Sequence, residues 1–96
     1  MNRDWGRIAV YAGGFKTITD FAFAPDGGLY VLQFATAPMF FGGPGALIRV
    51  APDGTRSTIT TALFQPTGIA IGDDGSVYVS NRSQSSGGGE VLRIMP

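Results

Sequence analysis

The chain repeats itself, and a repeat restricts a chain to architectures in which one unit packs on a copy of itself. Displaced by 48 residues, TDFAFAPDGGLYVLQ from Thr19 falls on TGIAIGDDGSVYVSN from Thr67. Six of these 15 positions are identical: Thr19/Thr67, Ala22/Ala70, Asp26/Asp74, Gly27/Gly75, Tyr30/Tyr78 and Val31/Val79. A second block, GALIRVAP from Gly45, matches GEVLRIMP from Gly89 at a displacement of 44, so the first repeat carries four extra residues between its blocks.

Each repeat reads as antiparallel strands. Asp26-Gly27 and Asp74-Gly75 lie between alternating apolar residues, the pattern of a hairpin whose glycine takes the positive φ of a tight turn. Pro52-Asp53-Gly54 is a third turn of this kind. The spacing predicts inner strands at 19–24 and 67–72, second strands at 28–34 and 76–81, third strands at 45–51 and 89–95, and an outer strand at 55–61. Four strands in about 48 residues is the period of a β-propeller blade.

The second repeat reaches Pro96, the equivalent of Pro52, before any outer strand. At the displacement of 48, GRIAVYAGGF from Gly6 takes the place of the first repeat's outer strand, with Tyr11 on Ile59. The chain therefore reads as two whole blades cut between third and outer strands. Residues 1–17 carry the outer strand of a neighbour's blade, 18–65 form the first blade, and 66–96 supply three strands of the second.

In FAFA, IAIG, LYVL and VYVS both alternating faces are apolar or small, as in a sheet covered on two sides. Two blades cannot close a ring, so an apolar face of several hundred Å² would be left at each end, rare on a soluble monomer. At about 25 cal/mol per Å² such faces represent roughly 10 kcal/mol of available burial. Head-to-tail assembly removes them: two, three or four copies would give four, six or eight blades, and the six-bladed homotrimer is expected. Trp5, Ile8, Val10, Val91, Ile94 and Pro96 are the residues expected at the junction between chains.

Composition narrows the chemistry. Seven basic residues balance seven acidic ones, which gives no basic face for nucleic acid. With no Cys and no His, disulfides, thiol catalysis, ordinary zinc sites and a Ser-His-Asp triad are excluded. No apolar run is long enough for a membrane-spanning helix, and no signal peptide is read at the N-terminus. An apolar content of 44% nonetheless predicts a buried core.

Asp26, Asp53 and Asp74 are explained by turns, whereas Asp20 is not. It begins an inner strand near the ring axis, where it would either cap backbone amides at the blade junction or, repeated round a trimer, face a channel and hold a cation. Gln33 and Asn81, equivalents at the ends of second strands, could add amide ligands or hydrogen bonds there, and Arg82 could meet an anion or a sugar hydroxyl. Met39, Phe40 and Phe41, in the loop that carries the insertion, form either an apolar docking patch or a cover for a blade edge. Trp5 and Tyr11 allow stacking on a sugar ring; Trp5 also suits packing against a neighbour. These residues make no catalytic pair, and no cofactor is expected apart from calcium at Asp20.

VYAGGFKTITDFAFAPDGGLYVLQFAT, GALIRVAPDGTRSTI, PTGIAIGDDGSVYVSN and GGGEVLRI together resemble the C-terminal two blades of ScyD/ScyE-type propeller proteins. Those proteins are relatives of the NHL-repeat and gluconolactonase-like propellers, and the resemblance spans residues 7–95. It implies a six-bladed propeller, secretion, and an association with scytonemin biosynthesis in cyanobacteria. These 96 residues read as one third of that number of blades, and no signal is expected from their first residues. Gluconolactonase-like catalysis would further imply a Glu/Asp/Asn calcium cluster, and the sole glutamate, Glu90, begins a third strand. Three functions follow as expectations: a self-assembling scaffold or binding module, with a site in the channel or on the face of the loops joining second and third strands; a metal-dependent lactonase or lyase; and a lectin-like sugar binder. The first is preferred.

Overall fold

The computed structural model describes residues 9–15, 17–34, 44–82 and 88–95. Seven strands are found there: β1 (Ile18–Phe23), β2 (Leu29–Gln33), β3 (Gly45–Val50), β4 (Arg56–Leu63), β5 (Gly68–Ile71), β6 (Val77–Asn81) and β7 (Glu90–Ile94). All pair antiparallel with their chain neighbours, in a four-stranded sheet β1-β2-β3-β4 and a three-stranded sheet β5-β6-β7. No helix occurs among the described residues. Trp5, Ile8, Met39, Phe40, Phe41 and Pro96, named above as interface or binding candidates, lie outside the described residues.

Three turns share one construction. In each, an aspartate oxygen accepts from the backbone N–H two residues on: Asp26 from Gly28 at 2.9 Å, Asp53 from Thr55 at 2.9 Å, Asp74 from Ser76 at 3.0 Å. The next residue is a glycine at φ 88°, 91° and 86° respectively, which a side chain would strain. The turns thus fix where β1 folds back on β2, β3 on β4 and β5 on β6.

The two sheets face one another. Tyr30, Leu32, Leu47 and Leu63 of the first meet Val77 and Val79 of the second, with Ile69, Ile71, Leu92 and Ile94 packed round them. Residues 9–15, which form no strand, lie over the other face of the first sheet, where Ala12 and Phe15 touch the cluster of Leu29, Val31 and Val50. Covered from both sides, β2 is buried at every position. In β6 the covering is one-sided: Val77 and Val79 are buried while Tyr78 between them is exposed. The apolar two-faced pattern of both repeats is therefore satisfied in one of them.

Candidate functional site

Asp20 sits just past a bulge, because the β1–β2 ladder slips between Ile18 and Asp20. Its Oδ1 accepts from its neighbour's amide, Phe21 N, at 2.8 Å, and its Oδ2 accepts from Ile69 N at 3.1 Å. The carboxylate thus bridges the inner strands of the two sheets, and nearby Thr19 Oγ1 donates to Pro66 O at 3.2 Å. Of the two roles open to Asp20, amide capping at the blade junction is what this geometry performs.

Asn81 is buried and committed at both ends. Its Oδ1 accepts from Phe64 N at 2.8 Å, and its Nδ2 donates to Glu90 Oε2 at 2.8 Å. Arg82 has a left-handed backbone, φ 55°, donates its amide to Phe64 O at 2.7 Å and brings Nε within 3.9 Å of the same Glu90 oxygen. Asn81, Arg82 and Glu90 are therefore brought together beside the crossing from β4 to β5. Gln33 is buried at the end of β2, opposite Ile18 and Ala46. Asn81 and Arg82 hold the end of β6 to the crossing at Phe64. Of the junction residues, Val10 and Val91 are exposed, while Ile94 packs between the chain's own two sheets.

The opposite, turn-bearing end holds a cleft of about 570 Å³ between the sheets. Tyr30, Asp26, Arg49, Ile59, Asp73 and Asp74 line it. Arg49 Nη2 donates to Asp26 Oδ2 at 2.7 Å and stacks over Tyr30, 5.5 Å from the ring centre. The second repeat copies the clasp: Arg93 Nη2 lies 3.2 Å from Asp74 Oδ2. Hydrogen bonds lower the pKa of all three turn aspartates. The largest contribution is the backbone amide of Gly28 for Asp26, of Thr55 for Asp53 and of Ser76 for Asp74, and the arginines add to it for Asp26 and Asp74. The Asp26 carboxylate in turn raises the pKa of Arg49. Sequence reasoning assigned these aspartates to turns and missed their arginines, although Arg49/Arg93 is an identity within the second repeated block.

A second, apolar recess of about 520 Å³ opens under the N-terminal segment, against Phe21, Phe23, Leu29 and Val31. Among the described residues no group of three or more Asp or Glu is placed to hold a metal ion.

No protein-family model matches the chain. No curated protein matches it at a significant level. Among solved structures it is similar to the X-ray structure of a "putative gluconolactonase", with a TM-score of 0.58 and 24% identity. The likeness covers 80% of this chain and 33% of that one, so the chain spans about a third of the length of the protein it matches. The likeness supports a relation in fold to β-propellers.

Proposed function

We propose that the chain is a non-catalytic β-propeller module whose copies join head to tail into a ring, six blades from three copies, to serve as a scaffold or binding platform. One observation carries this reading: each face that no second sheet covers is the repeat-equivalent of a face that is packed against a sheet inside the chain. Ile69, Ile71, Val77, Val79, Leu92 and Ile94 face the first sheet, and their equivalents are Phe21, Phe23, Leu29, Val31, Ile48 and Val50 on that sheet's other side. Phe21 and Phe23 are 57% and 51% exposed. Conversely, Tyr30 and Leu47 face the second sheet, and their equivalents Tyr78 and Val91 are 37% and 72% exposed on its far side. The contact seen once within the chain can thus be repeated between chains, as a heterologous interface that closes. A finer kinship with ScyD/ScyE-type propellers belongs to the same proposal.

Native mass spectrometry tests it. A discrete species at about three times 10.0 kDa is expected. A folded monomer at tens of micromolar would refute the assembly.

The fold neighbour, a "putative gluconolactonase", fits a second reading, a metal-dependent lactonase- or lyase-like ring enzyme with a channel site, where Asp20 would hold the ion. That reading requires calcium to raise the melting temperature through Asp20. Against it, both Asp20 oxygens already accept backbone hydrogen bonds.

A further inference from the structure

We infer that residues 9–12 are the outer strand of the second blade of a neighbouring copy, paired antiparallel with the free edge of its β7. The inference rests on the ring reading and adds to it a partner-built sheet: without the second copy, the second blade lacks a strand.

The crossing that leads into β1 has the form of the crossing that leads from β4 into β5. Thr17 and Gln65 are equivalents at the displacement of 48, and both hold a left-handed backbone, φ 26° and 48°, without being glycine. For a β-branched threonine that conformation is strained, so its recurrence at an equivalent position marks a shared chain path. Each crossing is also tied to the second strand of the blade it enters. Phe34 N donates to Thr17 O at 2.8 Å, and Arg82 N, its equivalent, donates to Phe64 O at 2.7 Å.

What precedes the two crossings packs alike. Leu63, at the end of β4, lies in the cluster with Val77 and Val79, and Ile59 packs against it. Their equivalents at the same displacement are Phe15 and Tyr11. Phe15 packs on Leu29 and Val31, the equivalents of Val77 and Val79. Tyr11 meets Phe23, the equivalent of Ile71, edge to face at 5.6 Å. The segment therefore lies over the first sheet where a preceding blade's outer strand would lie, although its own chain supplies no blade there. Arg56 fixes its base: Nη2 donates to Gly13 O at 2.6 Å, and the guanidinium sits 4.2 Å from the centre of the Phe15 ring.

β3 is paired with β4, whereas its counterpart β7 has β6 on one side and no strand on the other among the described residues. Carrying the β3–β4 register across, Ile48 opposite Thr58 becomes Leu92 opposite Val10 of the second copy, and Arg49 opposite Ser57 becomes Arg93 opposite Ala9. An unpaired β7 edge is a row of open donors and acceptors, which an apolar strand held at the right height would close.

The chain has no cysteine, so an engineered pair has no competitor. Val10→Cys combined with Leu92→Cys places two thiols at a cross-strand pair, within the Cα spacing a disulfide accepts. After oxidation, the main non-reducing band is expected to move from one chain mass to three and to return on reduction, with the native mass unchanged. A native trimer without an interchain bond, or with a bond inside one chain, would overturn the strand assignment and leave the ring standing. A native monomer of the unmodified protein would remove both. Should the double variant not assemble, hydrogen exchange on the unmodified trimer decides: slow amides in 9–12 and 90–94 support the pairing, and rapid loss of protection in both segments refutes it.

Discussion

Replacing Asp20 by alanine separates a structural carboxylate from a ligand-binding one. The side chain accepts two backbone hydrogen bonds, but they are not of equal value. Phe21 N is exposed and can turn to water once the carboxylate is gone, so its loss costs little. Ile69 N is partly buried at the junction of the inner strands and lies 49 residues away in sequence. A hydrogen bond to a charged acceptor there is worth about 1.5–3 kcal/mol, and partial exposure places it at the lower end. Asp20→Ala is therefore expected to destabilise by about 1.5–2 kcal/mol. Asp20→Asn keeps one carbonyl acceptor without the charge and should lose about half as much. Urea unfolding at one fixed protein concentration gives the comparison, since assembly would add a concentration-dependent share. With a slope of about 1–1.5 kcal/mol per molar, the midpoint should fall by roughly 1–2 M for alanine. An alanine variant as stable as the parent, or more stable, would refute the bridging role. If that variant also abolished a calcium-induced rise in melting temperature, the enzyme reading would take precedence, because residues kept for ligands are commonly neutral or costly to stability.

Gly45→Ala and Gly89→Ala are equivalent substitutions with different outcomes. A Cβ at Gly45 would lie 2.5 Å from Pro66 Cδ and 2.9 Å from the Gln33 carbonyl oxygen, whereas at Gly89 the nearest group, Arg82 O, is 3.9 Å away. A loss of about 1–3 kcal/mol at Gly45 and a near-neutral result at Gly89, read by thermal melting, are expected. Acid should weaken the fold through Asp26, Asp53 and Asp74. Their folded pKa values lie below the ordinary 3.8, so the unfolded chain binds protons first as pH drops. Their contribution is complete above that ordinary value and is lost as pH falls through the lowered ones. Melting temperatures recorded from pH 6 down to pH 2 check this, and the Asp26→Asn variant should show a shallower decline.

The strands were legible because each is bracketed by local signals. The expected 19–24, 28–34 and 45–51 are Ile18–Phe23, Leu29–Gln33 and Gly45–Val50, and the later strands agree within two residues, whereas 9–12, expected in an outer strand, form none in the single chain. Aspartate followed by glycine encodes its turn within four residues, so no distant partner is needed. The site residues are another matter. Asp20 stands out in the sequence because no turn explains it, and Asn81 and Arg82 as polar groups at a strand end; the contacts that explain all three are long-range. Asp20 reaches the inner strand of the other sheet; Asn81 reaches back to the Phe64 amide and sideways to Glu90. Hydrophobic period places a residue on a face, but it does not say which backbone amide that face will oppose. The Arg49–Asp26 clasp escaped for the same reason, its members being 23 residues apart. Repetition was the signal that could have found it, since Arg93–Asp74 recurs at matching positions.

The plain succession of strands, each beside its neighbour in sequence, bears on how quickly the chain can organise itself. Pairing β1 with β2, or β3 with β4, closes only a turn's length of backbone, so little chain entropy is lost before contacts repay it. Joining β1 to β5 through Asp20 and Ile69 closes far more chain. The hairpins should therefore form early under their Asp-Gly turns, and contact between the sheets should come late, governed by the strained Gln65 crossing that joins β4 to β5. A substitution in that crossing would then act chiefly on the docking of finished sheets, and one in the turns on whether a sheet forms at all.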